Sequence, residues 1–172
     1  ETNLNNLQIG GRNILRNTYL RQNIQQWEIN NSAIKNVTID GYSCTKFQGE
    51  LQKPMVLSQS ILGKLQANEE YIVSGWWYFD NVEMGTTNPS VMYHVDGSYI
   101  NDSGVSSWYQ LLTSSLPDSA TLKSKKWVYI KATFKTNAFY ATATRCVFYI
   151  YTNDFTGTVY VRDLKLEKGN KA

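Results

Sequence analysis

The strongest constraint on the fold of this chain is a rhythm. Short runs rich in Val, Ile, Thr, Tyr and Phe alternate with turns built from Gly, Asn, Asp and Ser, and helical periodicity is nearly absent. Strands are expected at about 26–30, 34–40, 43–50, 54–61, 70–79, 90–96, 127–136, 145–152 and 158–167, with one short helical turn around 58–66. Many short strands without helices between them predict an all-β chain, an antiparallel sandwich or barrel. A length of 172 residues suits one domain with a core of its own. The segment 97–126 breaks the rhythm. It is rich in Gly, Ser, Asn, Asp and Pro yet holds "WYQLL" at 108–112, so a long loop packed against the body is expected there.

Successive side chains on a strand point to opposite faces, so the two tryptophans of "SGWWYFD" (74–80) cannot both be core. Tyr71, Val73, Gly75, Trp77 and Phe79 form the more continuous apolar series, which puts Trp77 inside and Trp76 outside. The same alternation sends Val128, Ile130, Ala132 and Phe134 inward, with Cys146, Phe148 and Ile150, and with Val91, Tyr93 and Val95. What remains outside is not the Lys/Glu/Thr surface of a solvated sheet. It collects Trp76, Tyr78, Tyr129, Tyr149 and Tyr151, with His94, Asp96 and Arg145 among them. Tyr outnumbers Phe 12 to 6, which favours surfaces wanting a flat apolar body with a hydrogen-bonding tip. Sugars ask for that combination: their C–H faces stack on rings while their hydroxyls bond Arg, Asp, Asn or His. A glycan-binding face is one reading. A face covered by a loop or a second subunit is the other.

Several chemistries are excluded or disfavoured. A net charge of +3, with the basic "LKSKKW" (122–127) read as a solvated turn, is too weak for a nucleic-acid surface. No apolar run reaches the length of a membrane span, and no signal peptide is visible. Cys44 and Cys146 are too few for a disulfide scaffold or a zinc site. Cys146 reads as a buried free thiol, the alternative being a bridge to Cys44. His94 is the one histidine and has no nucleophile motif for a partner. Metal-type spacings and phosphate loops are absent too, so the sequence reads as a binder rather than an enzyme.

The two ends carry a resemblance. "LQIGGRNILRNTYL" (7–20) and "GTVYVRDLKLEKGNKA" (157–172) bracket the chain, with "EEYIVSGWWYF" and "KKWVYIKATFKT" between them. Together they resemble the carbohydrate-binding-module-like domains of bacteriophage and prophage tail proteins. That resemblance implies a jelly-roll β-sandwich of the galactose-binding-like type. It also implies a virion location outside the host cell, other tail subunits and a bacterial surface polysaccharide as partners, and a host-recognition role. Opening on Glu1 and ending at "EKGNKA", the chain is expected to be a fragment of such a protein. Asn13 and Arg12 are expected to bond the last strand, with Ile14 and Leu15 as apolar plugs. Related jelly rolls hold a structural calcium between an acid after the first strand and an Asp in the last. Asp163 matches the second position, whereas "NTYLRQN" (17–23) supplies no acid for the first. Sugar-binding jelly rolls use a sheet face or the loops at one end, which adds Trp108 and Tyr109 to the candidate ligand residues. The competing reading is a spacer or oligomerisation module whose aromatic face is a subunit interface.

Overall fold

A computed structural model describes residues 12–18 and 26–169. Ten strands form two five-stranded antiparallel sheets. The strands are β1 (Glu28–Ile29), β2 (Lys35–Ile39), β3 (Tyr42–Gln48), β4 (Met55–Ser60), β5 (Glu70–Met84), β6 (Ser90–Ile100), β7 (Ser106–Thr113), β8 (Trp127–Lys135), β9 (Ala143–Asn153) and β10 (Phe155–Lys168). The front sheet has the order β1-β4-β9-β6-β7 and the back sheet β2-β3-β10-β5-β8. All nine expected strands are present, β5, β6, β9 and β10 being longer than their sequence signals. The helical turn expected at 58–66 is instead a strand end and a turn; an α-helical turn at Ser119–Leu122 is capped by Asp118, whose Oδ1 accepts from Thr121 N at 2.8 Å, and a 3-10 turn spans Ala138–Thr142.

The inward parities hold. Phe148, Ile150, Tyr93 and Val95 from the front sheet meet Val73, Trp77, Phe79 and Val161 from the back, all buried. Trp77 stacks on Phe79 and meets the edge of Tyr93. Its Nε1 donates to the Tyr93 hydroxyl at 2.7 Å, and that hydroxyl donates to the Ile130 carbonyl at 2.8 Å. Tyr93 belongs to the front sheet and the other two to the back, so this relay bolts one sheet to the other. Room for it depends on Gly75, where a Cβ would stand 2.9 Å from the Tyr93 hydroxyl. Cys44 and Cys146 are both buried and free.

The segment 97–126 is not one long loop: it contains the end of β6, all of β7 and the helical turn. A bulge hides β7 from a period-two reading. The β6–β7 register slips between Val95 and Asp96, so the buried residues of β7 are Tyr109 and Leu112, three apart. Asn13 bonds the last strand as expected. Its Nδ2 donates to Leu164 O (3.1 Å), its Oδ1 accepts from Leu166 N (3.0 Å), and Ile14 N donates to Leu166 O (2.7 Å). Leu15 plugs the core and Ile14 packs beside it. The rest of the "LQIGGRNILRNTYL" motif and most of "NTYLRQN" lie outside the described residues.

Candidate sugar-binding cleft

Alternation tells inside from outside but not one sheet from the other, and here the expected single face divides in two. His94 and Asp96 on β6, with Arg145, Tyr149 and Tyr151 on β9, stand on the outer face of the front sheet. Trp76 and Tyr78 are on β5 and Tyr129 on β8, so they stand on the outer face of the back sheet, across the sandwich. They share no site with the first group.

The front face is a grid fixed by strand register. One row runs across all five strands: Glu28, Ser58, Tyr149, His94, Thr113. The next joins Ser60, Val147, Asp96 and Gln110, and a third joins Arg145, Ser98 and Trp108. Over the middle of the grid lies an open cleft of about 520 Å³, walled by Val56, Met92, His94, Asp96, Gln110, Thr113, Tyr149 and Tyr151. This volume falls in the range of small-ligand sites. Trp108, 62% exposed, rises at the edge of the same face, where β7 rather than a loop carries it. Tyr109 is a correction. It is 4% exposed and faces the core, with its hydroxyl donating to Arg145 O at 2.6 Å, because the neighbour of an outward residue on a strand points in.

The polar groups of the cleft form one directed network. Gln110 Nε2 donates to Thr113 Oγ1, whose hydroxyl faces His94 Nδ1 at 3.1 Å. His94 Nε2 lies 3.0 Å from Asp96 Oδ2. A carboxylate only accepts, so Nε2 is the donor to Asp96, while Nδ1 faces the Thr113 hydroxyl. Arg145 Nη1 donates to the other Asp96 oxygen at 3.1 Å, and Nη2 to the Tyr149 hydroxyl. Burial, then the Asp96 charge, pushes the Tyr149 phenol above its ordinary range, so it remains an uncharged hydroxyl well into alkaline solution. His94 and Tyr149 have ring centroids 5.5 Å apart. The result is a ring-walled trough with fixed donors and acceptors, able to stack a sugar and bond its hydroxyls. Sequence reasoning missed Val56, Met92, Gln110 and Thr113; the last two are set facing Asp96 and His94 by the β7 bulge, which leaves no local signal.

The back face is organised around Arg162. Its guanidinium carbon lies 3.7 Å from the Tyr42 ring centroid, 4.5 Å from that of Trp127 and 5.2 Å from that of Trp76, while Trp76 leans on Tyr129 at 5.2 Å. Trp76 therefore helps cover a buried cation. Asp163 sits in a β10 bulge at φ +50° with its carboxylate on Arg162 Nη1 at 2.5 Å. The described residues do not assemble the expected calcium site. The expected ligand is neutralised by a guanidinium, and no group of three or more His, Cys, Asp or Glu gathers among the described residues.

Comparison with known proteins follows this geometry. Residues 12–157 match the family described as carbohydrate binding domain. The chain belongs to that family. The CBM22-1 xylan-binding domain of Paenibacillus barcinonensis Xyn10C superposes with a TM-score of 0.61 over 94% of this chain and 97% of its own, at 12% identity. A solved CBM4 structure gives 0.56, over 88% of this chain and 97% of its own, at 14% identity. The enzymatically active domain of bacteriophage CBA120 tailspike protein 4 gives 0.54 at 10% identity, covering 91% of this chain and 21% of that one. Such identities speak for the fold alone, a jelly-roll sandwich of the carbohydrate-binding-module type. Among curated proteins, none matches this sequence.

Proposed function

We propose that this carbohydrate-binding domain is a non-catalytic module holding a bacterial surface polysaccharide across the outer face of the front sheet. We further propose that it does so on the outside of a phage particle, as part of a tail or tail-fibre protein beside other tail subunits. The observation that carries the binding reading is the cleft, where Tyr149, Tyr151 and His94 supply ring surface beside the fixed Gln110–Thr113–His94–Asp96–Arg145 network. Asp96 is the one carboxylate walling the cleft, and both its oxygens are engaged, so a two-carboxylate glycosidase arrangement has no second member among the described lining residues. The phage setting is supported by the resemblance of the end motifs and by a tailspike sharing the fold.

Titration of the chain against bacterial and plant polysaccharides, read by tryptophan fluorescence, tests this. Trp108 is exposed on the binding face and reports occupancy. A saturable signal is expected with one glycan, in the millimolar to micromolar range, roughly −4 to −8 kcal/mol for a single module. Tyr149→Ala should weaken it at least about tenfold. Silence across the panel from a folded sample would refute the reading. The exposed Tyr42 and Tyr129 on the back face favour a second reading, in which that face is a subunit interface. Sedimentation of the chain as a trimer with Trp76 protected from quenchers would support it.

A further inference from the structure

The cleft has a neighbour on the same sheet. Toward β1 and β4 the front face continues into a second cavity of about 300 Å³, whose walls include Arg16, Glu28, Ser60 and Lys64. Register ties the two cavities together. Glu28 stands in the row of Tyr149 and His94, and Ser60 in the row of Val147 and Asp96. Neighbouring strands are about 4.8 Å apart, so a chain stacked on Tyr149 and lying across the strands reaches β4 within about one strand spacing.

The chemistry changes along that path. Over the first cavity the Arg145 charge is met by Asp96. Over the second there are two cations and one carboxylate. The ion pairs among the described residues use Lys53, His94, Lys123, Arg145, Arg162, Lys165 and Lys168 as cations, and neither Arg16 nor Lys64 is among them. Arg16 is held in place: its N–H donates to Gln59 Oε1 at 2.9 Å, and Gln59 Nε2 donates to its carbonyl at 3.1 Å, a two-way clamp from a buried amide. Lys64 is fixed by a turn, its N–H donating to Ile61 O at 3.0 Å. Partial burial first, and then the Arg16 charge beside it, draws the Lys64 ammonium below its ordinary range, the sign expected of like charges set side by side. A neutral sugar would give these two cations nothing to neutralise, whereas a phosphate or carboxylate would bond both.

We propose that the β1–β4 cavity beside the cleft, at Arg16 and Lys64, is an anion subsite that reads a phosphate or carboxylate group carried by the bound glycan. This rests on the carbohydrate-binding reading above, and it makes the preferred ligand an acidic polysaccharide.

The test is quantitative binding of the 172-residue chain to matched polysaccharides. These are polygalacturonate against its fully methyl-esterified form, and a phosphodiester-bearing mannan against the same mannan after dephosphorylation, with neutral xylan and β-glucan beside them. The expected result is an acidic member bound at least about tenfold more tightly than its neutral counterpart, a preference that shrinks as salt rises. Whichever pair shows it tells phosphate from carboxylate. Arg16→Ala with Lys64→Ala should erase the preference and leave the neutral affinity in place. Lys64→Glu alone, in an exposed turn, should reverse it without a change in melting temperature. Tyr149→Ala should weaken acidic and neutral ligands together. Equal binding within both pairs, or a preference that survives the double substitution, overturns the subsite while leaving the carbohydrate reading intact. Binding of the acidic ligand that Tyr149→Ala leaves unweakened also overturns it, since the charges would then act apart from the cleft. Binding to no polysaccharide overturns the carbohydrate reading and this inference with it.

Discussion

Tyr93→Phe removes one oxygen atom and should loosen the whole sandwich. The Tyr93 hydroxyl accepts a hydrogen bond from Trp77 Nε1 and donates one to the Ile130 carbonyl, at 2.7 and 2.8 Å. The ring stays, so no cavity forms; the cost is a buried Trp77 N–H left without its partner and one bond fewer at the half-buried Ile130 carbonyl. Each such loss costs about 1–3 kcal/mol. Ile130 borders an open groove beside β8, which places its carbonyl at the low end. The sum is about 2–4 kcal/mol, a fall in melting temperature of roughly 4–16 °C for a chain of this size. Urea unfolding followed by circular dichroism measures it. A cycle with Trp77→Phe isolates the shared bond, since the two single losses should add to clearly more than the double. A Tyr93→Phe protein within about 0.5 kcal/mol of wild type would refute the idea that this relay fastens the sheets.

Other consequences are open to measurement. Gly97→Ala would set a Cβ 1.8 Å from the Arg145 carbonyl, forcing β6 from β9 beneath the cleft; a loss of about 3 kcal/mol and of glycan binding is expected in thermal melts and titrations. Trp76→Ala should cost about 1–2 kcal/mol, because Arg162 loses one of the rings around it, yet leave glycan affinity unchanged in the fluorescence titration. Burial pushes the Cys44 thiol from 9.0 up to about 11, so the folded state holds its proton longer than the unfolded one. The associated stability is full below about pH 9 and is lost as pH rises through about 11, a decline that Cys44→Ala should flatten in denaturation midpoints taken across that window.

The sequence carried the fold well and the site in part, for a physical reason. Period-two alternation is a local property, so Trp77, Phe148, Tyr93 and Cys146 could each be sent inward from five or six neighbouring residues. Which sheet a strand joins depends on pairings between distant segments, such as β4 with β9 or β3 with β10, and alternation is blind to them. Trp76 and Tyr149, both outward, therefore read as one face in the sequence although the sandwich separates them. The β7 strand failed for the opposite reason. Its bulge moves Leu112 to the face that strict alternation would give to Leu111, so the segment does not look like a strand at all. The β1–β4 cavity needed both kinds of non-local fact, the Gln59 clamp on Arg16 and the register that lines it up with the cleft.

The fastening of Asn13 and Ile14 to Leu164 and Leu166 has a mechanical meaning. Tension applied between these two stretches meets three hydrogen bonds directly joining them. While they hold, the load short-circuits from one stretch to the other, and the strands that floor the cleft stay slack. A module tethered in this way can be tugged through its chain and still keep its grip on what it has caught.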